Sequence, residues 1–282
     1  MKMIDMTDLR RVYDYQMKLA VPYFVPVDFE CWKESFENDA DGEGRTLFKT
    51  LQCKAACEGE RIVGFVQYGR TAFGFDECGE ISSAVSYPVI RALYFDEGRE
   101  DAGEALLRAA MEALGEDERI YAFFHYFGMT CFARHGKLFE SFGWIKELLH
   151  RHGFVIEHEN VYYSATVLDR AGSDVELKVH DLTAGNQQMF DFFLDGKHIG
   201  GCEVQYLPTK GDAFLRWIYM NDEVQNRGVG SQAMAALKNW LISKGMTRLD
   251  TDTALDNSRA QHYYEKNGFT REGITRSYYT QK

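Results

Sequence analysis

Apolar and polar residues alternate along the chain in a way that gives two runs of strands and helices in the same order. In the first run, residues 7–20 and 29–37 predict helices, and 47–58 and 61–72 predict strands joined at the charged turn EGER. VIRALYF (89–95) predicts a strand, and EALLRAAMEAL (104–114) has helical spacing. IYAFFHYF (120–127) predicts a strand, KLFESFGWIKELLHRHG (137–153) a helix, and FVIEHENVYYSATV (154–167) closing strands.

The second run is more compact. VELKVHDL (175–182) predicts a strand, and 187–207 a hairpin about Asp195-Gly196, a pair suited to the left-handed residues of a tight turn. AFLRWIYM (213–220) predicts a strand. The helix that follows carries Val229, Ala233, Leu237 and Leu241 on one stripe and ends at Gly245. TRLDTDT (247–253) is a strand, Asn257 caps a helix closing at Asn267-Gly268, and Phe269 begins the last strands.

The two runs align as an internal repeat. LHRHGFVIEHENVYY (149–163) resembles YEKNGFTREGITRSYY (264–279), and DEGREDAGEALL (96–107) lies on EVQNRGVGSQAM (223–234) with Gly103 facing Gly230. The expected division is into residues 1–170 and 171–282.

Composition narrows the class. With 45% hydrophobic and 14% aromatic residues in 282, both halves can bury a core. The net charge of −11 lies almost wholly in the first half, which argues against nucleic acid or an anionic membrane as partner and favours a cationic small molecule. No signal-peptide pattern or apolar run of membrane-spanning length is present, so a cytoplasmic protein is expected. Six cysteines without CxxC spacing read as buried thiols, and HRH (150–152) lacks a partner at metal-ligand spacing, so no metal is expected.

Chemistry is concentrated in DEVQNRGVGSQ (222–232). A phosphate loop of the GxxxxGK[ST] type would need a Lys-Ser or Lys-Thr after its glycines, and a dinucleotide fingerprint would need a third glycine; both are missing. What remains is a strand end, a glycine loop and an immediate helix. That arrangement offers unpaired amides and the positive end of a helix dipole to an anion.

Gln225-x-x-Gly228-x-Gly230 resembles the Gln/Arg-x-x-Gly-x-Gly/Ala signature of the GNAT superfamily of acyl-CoA-dependent N-acyltransferases, and DNSRAQHYYEKNGF (256–269) resembles a second region of that family. The resemblance covers residues 175–280. It implies an α/β (α+β) fold of two GNAT-like domains, each a mixed, largely antiparallel twisted sheet flanked by helices. The loop from Gln225 through Asn226, Arg227, Gly228, Val229 and Gly230 to Ser231 would hold the diphosphate of acetyl-CoA. The main chains of Ile218 and Met220 would meet the thioester and pantetheine, with Asn257 nearby. Tyr264 would be the acid that protonates the departing thiolate, a phenol of pKa near ~10 being protonated at neutral pH. Strand 213–220 has no glutamate to serve as general base, so Glu203 and Asp252 are the candidates.

The first half resembles the same fold without its chemistry. Asp101 stands where Gly228 does, Phe142 where Asn257 does and Leu149 where Tyr264 does. The arrangement is similar to tandem members of the superfamily whose C-terminal domain is the active one. The expected function is transfer of an acetyl group from acetyl-CoA to a primary amine of a small molecule or peptide, by a monomer or homodimer. The alternative is a non-catalytic acyl-CoA sensor.

Overall fold

The computed structural model describes every residue except Thr7, Asn38, Glu116, Asp117, Arg134, Val167 and Lys282. Its strands are β1 (Lys2–Asp5), β2 (Phe48–Glu58), β3 (Arg61–Thr71), β4 (Gly74–Phe75), β5 (Ile81–Ser82), β6 (Pro88–Phe95), β7 (Tyr121–Ala122), β8 (Leu138–Phe139), β9 (Phe154–Ala165), β10 (Glu176–Leu182), β11 (Gln187–Leu194), β12 (Lys197–Tyr206), β13 (Asp212–Met220), β14 (Arg248–Ala254) and β15 (Thr270–Thr280). The helices are α1 (Leu9–Gln16), α2 (Phe29–Glu37), α3 (Glu100–Leu114), α4 (Gly143–Arg151), α5 (Val229–Ser243) and α6 (Ser258–Lys266).

The chain forms two compact units. One comprises Met1–Asp41, Arg45–Glu159 and Thr275–Lys282; the other comprises Gly42–Gly44 and Asn160–Ile274. The dividing points fall inside β9 and β15 rather than at residues 170/171. The polypeptide therefore enters the second unit midway along one strand and leaves it midway along another.

In the first unit β1, β2, β3 and β6 are antiparallel neighbours, β6 and β7 run parallel, and β7 and β8 pair with Thr275–Tyr279 of β15. Its core is aromatic: Trp32, Phe36, Phe65, Tyr94, Phe123, Phe127 and Phe132 are all at most 2% exposed. Arg91 and Asp39 form a buried ion pair in which Arg91 Nε also donates to the Phe127 carbonyl at 2.8 Å and the Thr130 amide donates to Asp39 at 2.9 Å. Those bonds are what make burial of two charges tolerable.

Two expectations fail here. IYAFFHYF yields a strand of only two residues, because Phe123 adopts φ 56° and turns the chain out of the sheet. KLFESF is not helical: Leu138 and Phe139 pair with Arg276 and Thr275, and the helix starts at Gly143. The predicted 7–20 helix shortens to α1, and Val167 at the end of the predicted closing strand lies outside the described residues.

In the second unit β10, β11, β12 and β13 form an antiparallel meander, β13 runs parallel to β14, and β14 is antiparallel to Asn160–Ala165 of β9. The hairpin turn is as expected, Asp195 and Gly196 having φ 51° and 72°. Its core packs Phe190, Phe192, Cys202, Val204 and Leu215 of the sheet against Val229, Ala233, Leu237 and Leu241 of α5. Gly268, at φ 81°, ends α6, and Lys238 Nζ reaches across from α5 to the Asn267 carbonyl at 2.5 Å.

Candidate active site

The parallel pairing of β13 with β14 runs from Asp212↔Arg248 to Leu215↔Thr251 and stops, although β13 continues to Met220 and β14 to Ala254. A bulge at Arg216 marks the change, where Val204↔Leu215 gives way to Glu203↔Trp217 on the other neighbour, β12. Beyond Leu215 the two strands separate, and a cleft of ≈ 550 Å³ opens beside Ile218 and Met220. Gln225, Asn226, Gly228, Gly230 and Ser231 line it on one side, and Asn257, Arg259, Tyr263, Tyr264 and Lys266 on the other.

The loop is shaped by two left-handed residues, Asn226 at φ 59° and Gly228 at φ 80°. Asn tolerates that region and glycine is at home in it. Gly228 is the N-cap of α5, offers no capping side chain, and is followed by a first turn without acidic residues. A 15-residue helix thus points its first amides and the positive end of its dipole into the cleft, with nothing of its own to neutralise them.

The second glycine has a different role. A Cβ at Gly228 would meet nothing within 4 Å, whereas one at Gly230 would come within 3.3 Å of the Tyr263 ring, whose hydroxyl donates to the Gly230 carbonyl at 2.9 Å. Gly228 is required by backbone conformation and Gly230 by the packing of α6 on α5.

Gln225 does not hold out its side-chain amide for an anion. Its Nε2 donates to the Met220 carbonyl at 2.7 Å and to Asp222 at 2.9 Å, and its Oε1 accepts from Arg259 at 2.5 Å. The residue therefore ties the loop to the end of β13 and to the start of α6. Arg227 is exposed at the tip and Val229 is buried under it.

Asn257 caps α6, its side chain accepting from the Ala260 amide at 3.1 Å, and it also borders the cleft. Tyr264 is 5% exposed and packs against Tyr163, Tyr263 and Phe269. Burial raises its phenol above the ordinary value, with Asp252 adding to the rise and Thr251 opposing it. The hydroxyl thus stays protonated across the physiological range and stands near β14 at the opening.

The two carboxylate candidates differ in their surroundings. Glu203 pairs with Arg216 at 2.8 Å on the sheet face turned away from α5. Asp252 is half-buried on β14 beyond the last pairing with β13. Asp250, on the same face, is occupied: Arg248, Tyr162 and Ser164 all bond to it at 2.6–2.7 Å.

The sequence pattern assigns no site role to Arg259, His262 or Lys266, which border the cleft from α6. By spacing they are the solvated face of an amphipathic helix, and only the fold brings that face to the loop. In the first unit the corresponding helix starts differently. Glu100 and Asp101 fill the first turn of α3, and Gly103 lies so close to Phe95 that a Cβ would come within 2.5 Å of its ring. Phe142 is the N-cap of α4 and Leu149 is fully buried, in the places of Asn257 and Tyr264. A small cavity elsewhere in the first unit, lined by residues including Gln16, Arg91, Tyr94 and Phe132 and by none from α3 or α4, holds ≈ 20 Å³, room for about one water.

Residues 152–269 match the acetyltransferase (GNAT) family, so the chain carries a GNAT acetyltransferase domain. The whole chain shares its fold with solved proteins of that group, one of them a tandem GNAT protein. A tandem GNAT protein from the clavulanic acid biosynthesis pathway is 12% identical, with 99% of this chain and 98% of that one covered at a TM-score of 0.59. A GNAT-family acetyltransferase from Colwellia psychrerythraea is 11% identical over 100% of both chains at 0.55. A GCN5-related N-acetyltransferase from Sphaerobacter thermophilus is 9% identical over 81% of this chain and 80% of that one at 0.53. No curated protein matches the chain. Among the described residues, no helix is long and apolar enough to cross a membrane.

Proposed function

We propose that the second unit transfers an acetyl group from acetyl-CoA to a primary amine of a small molecule or peptide, by direct attack within a ternary complex. The observation that carries this reading is the coincidence of three features around one cleft: an uncapped helix N-terminus, a strand pair that separates, and a buried protonated tyrosine at the point of separation.

Acetyl-CoA, when bound, supplies an activated thioester and a good leaving group. The amides at the start of α5, with Arg227, Arg259 and Lys266 around them, suit a diphosphate. The main chain of β13 at Ile218 and Met220 has no β14 partner; with the Met220 carbonyl taken by Gln225, the groups that suit the pantetheine arm and the thioester carbonyl are the Ile218 main chain and the Met220 amide. Tyr264 holds a proton for the departing sulfur. Asp252, at the separated end of β14, and Glu203, paired with Arg216 on β13, are the two carboxylates that could relieve an ammonium of its proton.

Release of free thiol from acetyl-CoA with a panel of amines and peptides tests the reading. Tyr264→Phe should lower kcat by about 100-fold while KM for acetyl-CoA stays within about twofold. Saturable binding of acetyl-CoA without release to any acceptor would favour a sensor over an enzyme.

A further inference from the structure

The opening between β13 and β14 has a second side. Side chains alternate along β13, so that Ile218 and Met220 pack towards the core under α5 while Trp217 and Tyr219 stand on the other face, across from Glu203 and Gly201 of β12, with Tyr219 also bordering the cleft. These two rings are unusual for the chain. Trp217 is 37% and Tyr219 48% exposed, while most of its large aromatic side chains are buried. Both belong to the stretch that has lost its β14 partner, so a molecule reaching the opening from this face must pass over them.

The rings are arranged as a plate. Their centroids lie 5.9 Å apart with only 33° between planes. Gly201 makes this possible, since a Cβ there would come within 3.3 Å of Tyr219 Cε1 and 2.9 Å of the Phe190 carbonyl oxygen. Its missing side chain lets the Tyr219 ring lie down over β12.

Two carboxylates beside the plate are already bonded within the protein. Glu203 is paired with Arg216 at 2.8 Å, and Asp191 with His180 at 2.9 Å. A ligand with several ammonium groups would find those carboxylates engaged. A flat apolar group would find two π faces of matching shape.

We propose that Trp217 and Tyr219 form the acceptor platform and that the preferred acceptor is an arylalkylamine-type molecule, with a planar group stacked on the two rings and its amine extending into the opening. The proposal rests on the reading of the second unit as an N-acetyltransferase and names the substrate class of that site. Stacking preferences of this kind correspond to about a tenfold gain in kcat/KM over a matched alkylamine.

The test compares 2-phenylethylamine, n-hexylamine and spermidine as acceptors for the full chain, together with Trp217→Ala and Tyr219→Ala. The expected result is an aryl-over-alkyl preference of about tenfold that falls towards one in either variant, through KM for the amine. In Trp217→Ala, KM for acetyl-CoA should not move. In parallel, saturation-transfer NMR with 2-phenylethylamine reports binding without turnover, and the signal should weaken in both variants. If no amine is acetylated but the NMR signal depends on Trp217, the platform stands and the transferase reading falls. If alkylamines or spermidine are acetylated at least as well as 2-phenylethylamine, and Trp217→Ala changes neither the ratio nor the NMR signal, the platform is refuted while the transferase reading survives.

Discussion

Gly228 and Gly230 look alike in the sequence, but the structure needs each for its own reason. Gly228 sits at φ 80° with open space around it, so any other residue would suffer in backbone conformation alone. Placing a Cβ in the left-handed region costs about 1–2 kcal/mol. Gly228→Ala should therefore lower stability by about 1 kcal/mol and also blunt the rise in Tm given by acetyl-CoA, because the amides of the loop shift with it. Gly230→Ala should act through Tyr263, whose ring must yield a few tenths of an ångström. Its Tm should fall, with acetyl-CoA still stabilising the variant. Thermal melts of both with and without acetyl-CoA decide the matter: an undiminished ligand response in Gly228→Ala would remove the loop from the coenzyme site. The motif made the position of the glycines legible but not this difference. Gly103, the counterpart of Gly230 in the first unit, keeps its glycine because of the Phe95 ring, which no local pattern announces.

At the scale of elements, β13, the hairpin at Asp195-Gly196 and the two helices α5 and α6 could be read directly, since their periodicity, turn residues and caps agree with one another. The aromatic run 120–127 could not. Its strand propensity is high, yet its rings are drawn into the core about Phe123 and Phe127, and the chain bends to deliver them. The long strands β9 and β15 carry another feature invisible to patterning. Glu157 on β9 accepts from the Ser277 hydroxyl of β15 at 3.1 Å, with His125 Nδ1 4.0 Å away and the His158 ring beside His125. Burial pushes the Glu157 carboxyl up to about 7, against the pull of Ser277, Arg119 and Lys137. A carboxyl with a raised folded pKa contributes stability that is full below its unfolded value near ~4.3 and is lost as pH rises towards 7. After allowance for solvent screening the loss is about 2 kcal/mol. Glu157→Gln keeps the hydrogen bond and removes the charge, so relative to wild type it should gain about 2 kcal/mol between pH 4.5 and pH 7.5. Denaturant unfolding of both proteins across that range reads the difference directly; parallel curves would show that Glu157 titrates normally.

At the scale of the whole molecule, the internal repeat tempts one to cut the chain at residue 170 and treat residues 171–282 as a free-standing domain. The division of contacts argues otherwise. Asn160–Ala165 pair along β14 from Ala254 to Leu249 and place Val161, Tyr163 and Ala165, each at most 1% exposed, in the core beneath α5 and α6. Burial of one such large side chain is worth about 1.5–3 kcal/mol, and the strand ladder is lost with it. Removing this segment thus takes away an amount comparable with the ~5–15 kcal/mol by which a domain of this size is stable. Conversely, Thr275–Lys282 belong to the first unit, where Tyr278 is fully buried beside Ala122. A repeat detected from motifs finds where the pattern of elements recurs, but not which strands each unit shares through its covalent chain. A fragment of residues 171–282 should accordingly give a collapsed amide spectrum and no Tm response to acetyl-CoA, although it contains every residue of the Gln225–Ser231 loop and Tyr264. A fragment beginning at Phe154 restores β9 and should regain dispersed amide signals for α5 and β14. Well-dispersed resonances from the shorter fragment would mean that β9 is dispensable and that the unit is defined by its own meander alone.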